Sequence, residues 1–106
     1  MNMKLGTIQD WPELAKRANW STTSLAQQCG VSVRTLERHF LKVKGQTPKA
    51  WLSEQRQLVA IELLKNGSTV KATANHTGYK HASAFSREFK KHWGNYPTLH
   101  RFFKSS

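Results

Sequence analysis

The sequence predicts an all-α fold of about seven helices, built from two similar halves. Residues that start and end helices recur along the 106 residues. No stretch keeps the period-two alternation that a half-buried strand needs. The second half also repeats the residue pattern of the first. These observations favour a small helical protein with an internal duplication.

The first three helices are predicted from their ends. Each follows a residue whose side-chain oxygen can accept a hydrogen bond from the first helical turn, and a glycine ends the second and third. The first opens at Trp11 after Asp10, the second starts after Ser21 or Thr22 and runs to Cys29, and the third covers 33 to about 44 after Ser32.

The remaining helices carry similar signals. Thr47 followed by Pro48 pairs a capping side chain with the residue best tolerated at a first helical position. The predicted helices are 48–65, one from Ser68 or Thr69 to before Gly78, about 82–93, and a short one over 97–103.

Charge gives the first indication of function. Seventeen Lys and Arg oppose six Asp and Glu, for a formal net charge of +11. Such self-repulsion favours a polyanionic partner, and nucleic acid is favoured over an anionic membrane surface. Without an apolar signal segment or a long apolar run, we expect a cytoplasmic, nucleoid-associated protein and no membrane partner.

Cys29, the only cysteine, is expected to be a buried apolar residue.

The internal repeat has a spacing of 48 residues at its clearest point. Ala26 and Gly30 are four residues apart, as are Ala74 and Gly78. Each glycine precedes an apolar residue and then a basic amphipathic helix, which ends in a Gly-x-x-Pro element. Two such matches in the same order indicate a duplicated unit.

Each repeat has the residues of a helix-turn-helix. The small alanine allows two helices to cross closely, and the glycine tolerates positive φ in the turn. Apolar pairs four apart, Leu36 with Phe40 and Phe85 with Phe89, anchor the second helices inward. The predicted segments of this homeodomain-like tandem are 1–47, a linker helix 48–66 and 67–106. Inward packing of the linker is expected from Trp51, Leu52, Val59 and Leu63.

The candidate DNA-binding residues lie on the outer face of the second helix of each helix-turn-helix. Arg can contact guanine through two hydrogen bonds, Glu can accept one from cytosine, and Thr, Ser or Lys suit phosphates. The candidates are Arg34, Thr35, Glu37, Arg38 and Lys42 in the first unit, and His81, Ala82, Ser83, Ser86, Arg87 and Lys90 in the second.

From about Ser21 to Phe103 the sequence resembles the DNA-binding domain of the AraC/XylS family of bacterial transcription activators. The matching residues of the linker helix are Gly45-Gln46-Thr47-Pro48, Trp51-Leu52, Arg56, Ala60 and Leu63-Leu64. Those of the second unit are Ala74, Gly78-Tyr79, Phe85-Ser86-Arg87, Phe89-Lys90-Lys91, Gly94, Pro97 and Arg101.

The resemblance implies a monomeric DNA-binding domain with both second helices in adjacent major grooves, and RNA polymerase as a further candidate partner. The implied base contacts are Arg34, Glu37, Arg38, Ala82, Ser83, Ser86 and Arg87. Lys80-His81 departs from the family, which often has an acidic residue here; Thr73, Tyr96 and His100 are also atypical. These departures predict looser specificity in the second unit.

Other functional classes find little support. The five histidines form no His-x-x-x-His pair, and the six acids offer no catalytic dyad, so no enzyme activity, metal or cofactor is expected. A non-specific or architectural DNA-binding protein stays open as the alternative to a sequence-specific regulator.

Overall fold

The structure, a computed structural model, describes residues 5–8 and 10–97. These residues form a short 3₁₀ turn, Leu5–Thr7, and six α-helices without strands, as the sequence predicts. The helices are α1 Trp11–Arg17, α2 Thr22–Cys29, α3 Val33–Lys44, α4 Pro48–Lys65, α5 Val70–His76 and α6 Ala82–Trp93. Most of the predicted seventh helix, from residue 98 on, lies outside the described residues.

Helices α1 to α5 begin where side-chain oxygens cap their first turns, whereas α6 begins after His81 without such a cap. The side chains of Asp10, Ser21 and Ser32 accept the backbone N–H three residues later, at 3.2, 3.3 and 3.1 Å. Thr47 and Thr69 do the same for α4 and α5. These bonds satisfy amide donors that have no partner inside the helix. The predicted starts are therefore confirmed.

The described residues divide into two compact units, with the boundary between Gln55 and Arg56 inside α4. In the first unit, Leu36 and Phe40 of α3 are fully buried, and so is Leu25 of α2. Trp11 of α1 lies edge-on to Phe40, with 4.9 Å between ring centroids, and Trp51 of α4 lies 5.4 Å from the same ring. Aromatic burial thus holds α3 in place.

The second unit has its own core. Phe85 and Phe89 of α6 pack with Ala74 of α5 and with Ala60 and Leu64 of α4. All five side chains are at most 2% exposed. The rings of Phe85 and Phe89 are 5.7 Å apart, so the predicted apolar anchors of the second unit are confirmed.

The linker helix α4 buries a different face in the second unit from the one expected. Val59 and Leu63 are only half-buried, whereas Ala60 and Leu64 are buried. The expectation for Val59 and Leu63 was wrong by one position, because apolar residues occupy neighbouring positions here. Trp51 and Leu52 are buried, as expected.

Gln57 in the second unit and Cys29 in the first are buried side chains that carry polar or reactive atoms. Gln57 is fully buried, and its Nε2 donates to the Tyr79 hydroxyl at 3.2 Å. The Arg56 guanidinium lies 4.2 Å from the centroid of the Tyr79 ring. Cys29 is fully buried, as expected, and burial raises the pKa of its thiol.

Candidate nucleic-acid interface

The two turns that precede α3 and α6 share a left-handed glycine and one backbone hydrogen bond. Gly30 and Gly78 adopt φ of 70° and 83°, in the left-handed region that glycine enters at low cost. The residue after each glycine donates its N–H to the carbonyl of the small alanine, Ala26 or Ala74, at 3.0 and 2.9 Å. Both alanines are 2% exposed. Two helix-turn-helix motifs are therefore present, one in each unit.

The second turn is one residue longer than the first. Ser32 caps α3 two residues after Gly30, whereas His81 precedes α6 three residues after Gly78. Both helices have 12 residues and end at a left-handed glycine. Helices α3 and α6 consequently align at an offset of 49 residues, so Arg38 corresponds to Arg87 and Lys42 to Lys91.

The outward face of α3 contains all five candidates of the first unit. Arg34, Thr35, Glu37, Arg38 and Lys42 are exposed, opposite the buried Leu36 and Phe40. Among the described residues, none of the five forms an ion pair; the one salt bridge joins Arg17 to Glu13 at 3.9 Å. The Thr35 hydroxyl accepts a hydrogen bond from Ser32 at 3.0 Å. The arginines and Lys42 are therefore available to an external partner.

The outward face of α6 contains only part of the candidate set. Ser83, Arg87 and Lys90 are exposed, and Ser86 is half-buried. Ala82 is half-buried and packs against the core of the second unit, at the position that corresponds to Val33. Its assignment as a base contact is thus weakened, because the methyl group faces the core. His81 is exposed but makes no side-chain cap to α6.

Two features of this face were missed by sequence reasoning. Lys91 is exposed four residues after Arg87 and occupies the position of Lys42. Counting from each glycine to the buried phenylalanines would have revealed this alignment. The Lys90 ammonium lies 4.6 Å from the centroid of the Tyr96 ring, which constrains it by a cation–π contact.

Two further findings on the described part of the chain concern metal binding and membrane insertion. No group of three or more His, Cys, Asp or Glu side chains there could hold a metal ion. None of the helices over residues 5–97 has the length and apolar character needed to cross a membrane.

Comparison with known proteins identifies the family. A family model described as "Helix-turn-helix domain" matches residues 25–102. The chain is 33% identical over 98 residues to the HTH-type transcriptional regulator AlkR of Acinetobacter baylyi, which covers 92% of this chain and 31% of that protein. The chain spans about a quarter to a third of the length of the curated relatives it matches.

Solved structures agree with this match. A transcriptional regulator with an AraC-type DNA-binding domain from Chromobacterium violaceum superposes with a TM-score of 0.69 at 27% identity, covering 81% of this chain and 80% of that one. The DNA-binding domain of AdpA, solved in complex with a target DNA, has a TM-score of 0.70 at 28% identity, with coverage of 81% and 84%. The chain therefore belongs to the AraC family of helix-turn-helix transcription regulators and contains its DNA-binding domain.

Proposed function

We propose that the chain binds specific double-stranded DNA sequences and activates transcription, with α3 and α6 in adjacent major grooves. The observation that carries the proposal is the pair of equivalent arginines, Arg38 and Arg87. Each is exposed on a 12-residue helix behind a glycine turn, and neither is held by a carboxylate within the described residues. An arginine presented in this way can make two hydrogen bonds to guanine.

The side chains on the outward faces of α3 and α6 support different roles, some in contacting bases and others in contacting phosphates. Arg34, Glu37 and Arg38 would read bases in the first unit, and Ser83, Ser86 and Arg87 in the second. Lys42, Lys90 and Lys91 would contact phosphates, which fix position without reading sequence. Because serines replace Arg34 and Glu37 at the corresponding positions, the first unit would supply most of the sequence information.

The test begins with selection of bound duplexes from a random pool. On the selected sequence, Arg38→Ala or Arg87→Ala should cost about 1–3 kcal/mol and relax the preference at one base pair. Lys42→Ala and Lys91→Ala are the matched controls, which should weaken selected and random duplexes alike. A uniform loss for the arginines as well would refute direct base readout.

The alternative is a non-specific or architectural DNA-binding protein, which the net charge of +11 also favours. A sequence-specific regulator and a non-specific binding protein would both lose affinity for DNA steeply as the salt concentration rises. Only a sequence-specific regulator would bind its selected duplex on the order of 10³ more tightly than random DNA. Failure of the pool to enrich any sequence would favour the alternative.

Further parts of the proposal concern partners. The DNA-binding domain would act as a monomer, without catalytic activity, in the cytoplasm and nucleoid, and activation would involve contact with RNA polymerase. Sedimentation of the protein–DNA complex tests the stoichiometry. Transcription in vitro from a promoter carrying the selected site, with purified RNA polymerase, distinguishes activation from repression.

A further inference from the structure

The second unit has a hollow whose polar lining residues are mostly basic, and we call it the basic hollow. The hollow has a volume of about 290 Å³ and lies between α5, the turn and the start of α6. Its polar lining comes from Lys71, Asn75, Lys80 and His81, with Tyr79 as an aromatic wall. We propose that this basic hollow binds a backbone phosphate of DNA, beside the groove that α6 would enter. This inference rests on the proposed function and adds a phosphate site to it.

The charge of the hollow selects an anion. Two lysines and a histidine contribute side chains, and no carboxylate lines it. The described residues of this unit contain only two acids, Glu62 and Glu88, and neither pairs with these lysines. Phosphate is the anion that lysine, asparagine and backbone N–H groups most often contact in protein–DNA complexes.

Comparison of the two sequences shows that the basic residues of the hollow are specific to the second unit. The residues of the first unit that correspond to Lys71, Asn75 and His81 are Thr23, Gln27 and Ser32, none of which is basic. Lys80 is the additional residue of the longer turn and has no counterpart. The longer turn thus adds positive charge where the first unit has a capped helix start.

The position of the hollow favours a DNA phosphate over a small free anion. Its polar side chains are all exposed, so they do not enclose a small molecule. Ala82 lines the hollow, and the exposed Ser83 follows directly on the outward face of α6. A helix end that enters the major groove brings the residues just before it close to the flanking phosphates.

The first test measures how affinity for a labelled 40-base-pair duplex of random sequence depends on salt. If Lys71 and Lys80 hold one phosphate together, the double variant Lys71→Gln/Lys80→Gln should lower the magnitude of the salt slope by about 0.9. It should also lose roughly eightfold in affinity at 0.1 M salt, from the counterions released by one phosphate. Lys65→Gln, which removes an exposed lysine outside the hollow, is the control and should leave the slope unchanged.

The second test locates the phosphate on the selected duplex by ethylation interference. One phosphate should weaken wild-type binding when ethylated and have no effect on the double variant. The inference is overturned if the double variant matches Lys65→Gln in slope and interference pattern. It is also overturned if inorganic phosphate alone binds the hollow at sub-millimolar Kd and this binding is lost in the double variant, because the hollow would then be a small-anion site.

Failure of this inference is distinguishable from failure of the proposed function. If the wild-type protein does not bind the duplex, both fail together. If Arg38→Ala and Arg87→Ala relax specificity while the lysine variants behave as the control, only the basic hollow is refuted. Far-UV circular dichroism of each variant, before DNA is added, establishes that the helices are intact.

Discussion

Exchanging the residues that precede α3 and α6 should change the stability of the two units in opposite directions. Ser32 caps α3 with a 3.1 Å bond from the Thr35 N–H. His81, at the same position before α6, makes no such bond, although its φ of −132° and ψ of 139° are extended like those of other N-caps. His81→Ser should therefore place a hydroxyl oxygen within reach of the Ala84 N–H.

The expected change in stability follows from the free energy that a helix N-cap contributes. A serine at an N-cap stabilises by about 1 kcal/mol relative to a residue that cannot cap. For a domain of about 60–100 residues a gain of this size raises the Tm by about 4–8 °C, and we expect a shift of that order here. Ser32→His should lower the stability of the first unit by a similar amount. Each change acts within its own unit, so neither alters the cap of the other.

Thermal unfolding without DNA, followed by far-UV circular dichroism, provides the assay. Hydrogen exchange of the α6 amides shows whether the gain falls on the intended helix. If His81→Ser leaves Tm and exchange unchanged while Ser32→His destabilises, the missing cap is not a cost to the wild-type protein. A lower Tm for His81→Ser would refute the reasoning outright, because the histidine would then stabilise α6 by another contact.

Three further predictions concern the interior. Phe85→Ala should lower the free energy of unfolding by about 3–5 kcal/mol, since the ring is fully buried; a loss below about 1.5 kcal/mol in urea unfolding would contradict the packing. Tyr79→Phe should cost about 1–3 kcal/mol, because the fully buried Gln57 loses its hydrogen bond, and unchanged urea unfolding would contradict that bond. The Cys29 thiol should react with a chromogenic disulfide only in denaturant, because it is fully buried and burial also raises its pKa; rapid native labelling would contradict this.

Helix ends could be predicted from the sequence because they depend on chemistry within one turn. A serine or threonine cap acts on the amide three residues away, and a left-handed glycine ends the helix just before it. The observed starts at Ser32 and Thr69, and the ends at Gly45 and Gly94, follow from these local contacts alone.

Features that depend on distant residues could not be predicted in this way. Ala60 is buried and Val59 half-buried because Ala60 packs against Phe85 and Phe89 of α6. The burial of Gln57 depends on the Tyr79 hydroxyl, 22 residues further along. For the candidate interface, periodicity indicated the outward arginines, but it could not show that Ala82 packs against the core.

The placement of the additional residue in the turn, outside the helices, has a consequence for protein engineering. Because α3 and α6 have equal length and end in the same way, their positions align at an offset of 49 residues. Arg34 corresponds to the exposed Ser83 and Glu37 to the half-buried Ser86, so both grafted residues would lie beside the buried Phe85 and Phe89 without replacing either ring. Under the proposed function, the outward residues of one helix could therefore be redesigned for a new base preference while the other helix keeps its own contacts to DNA.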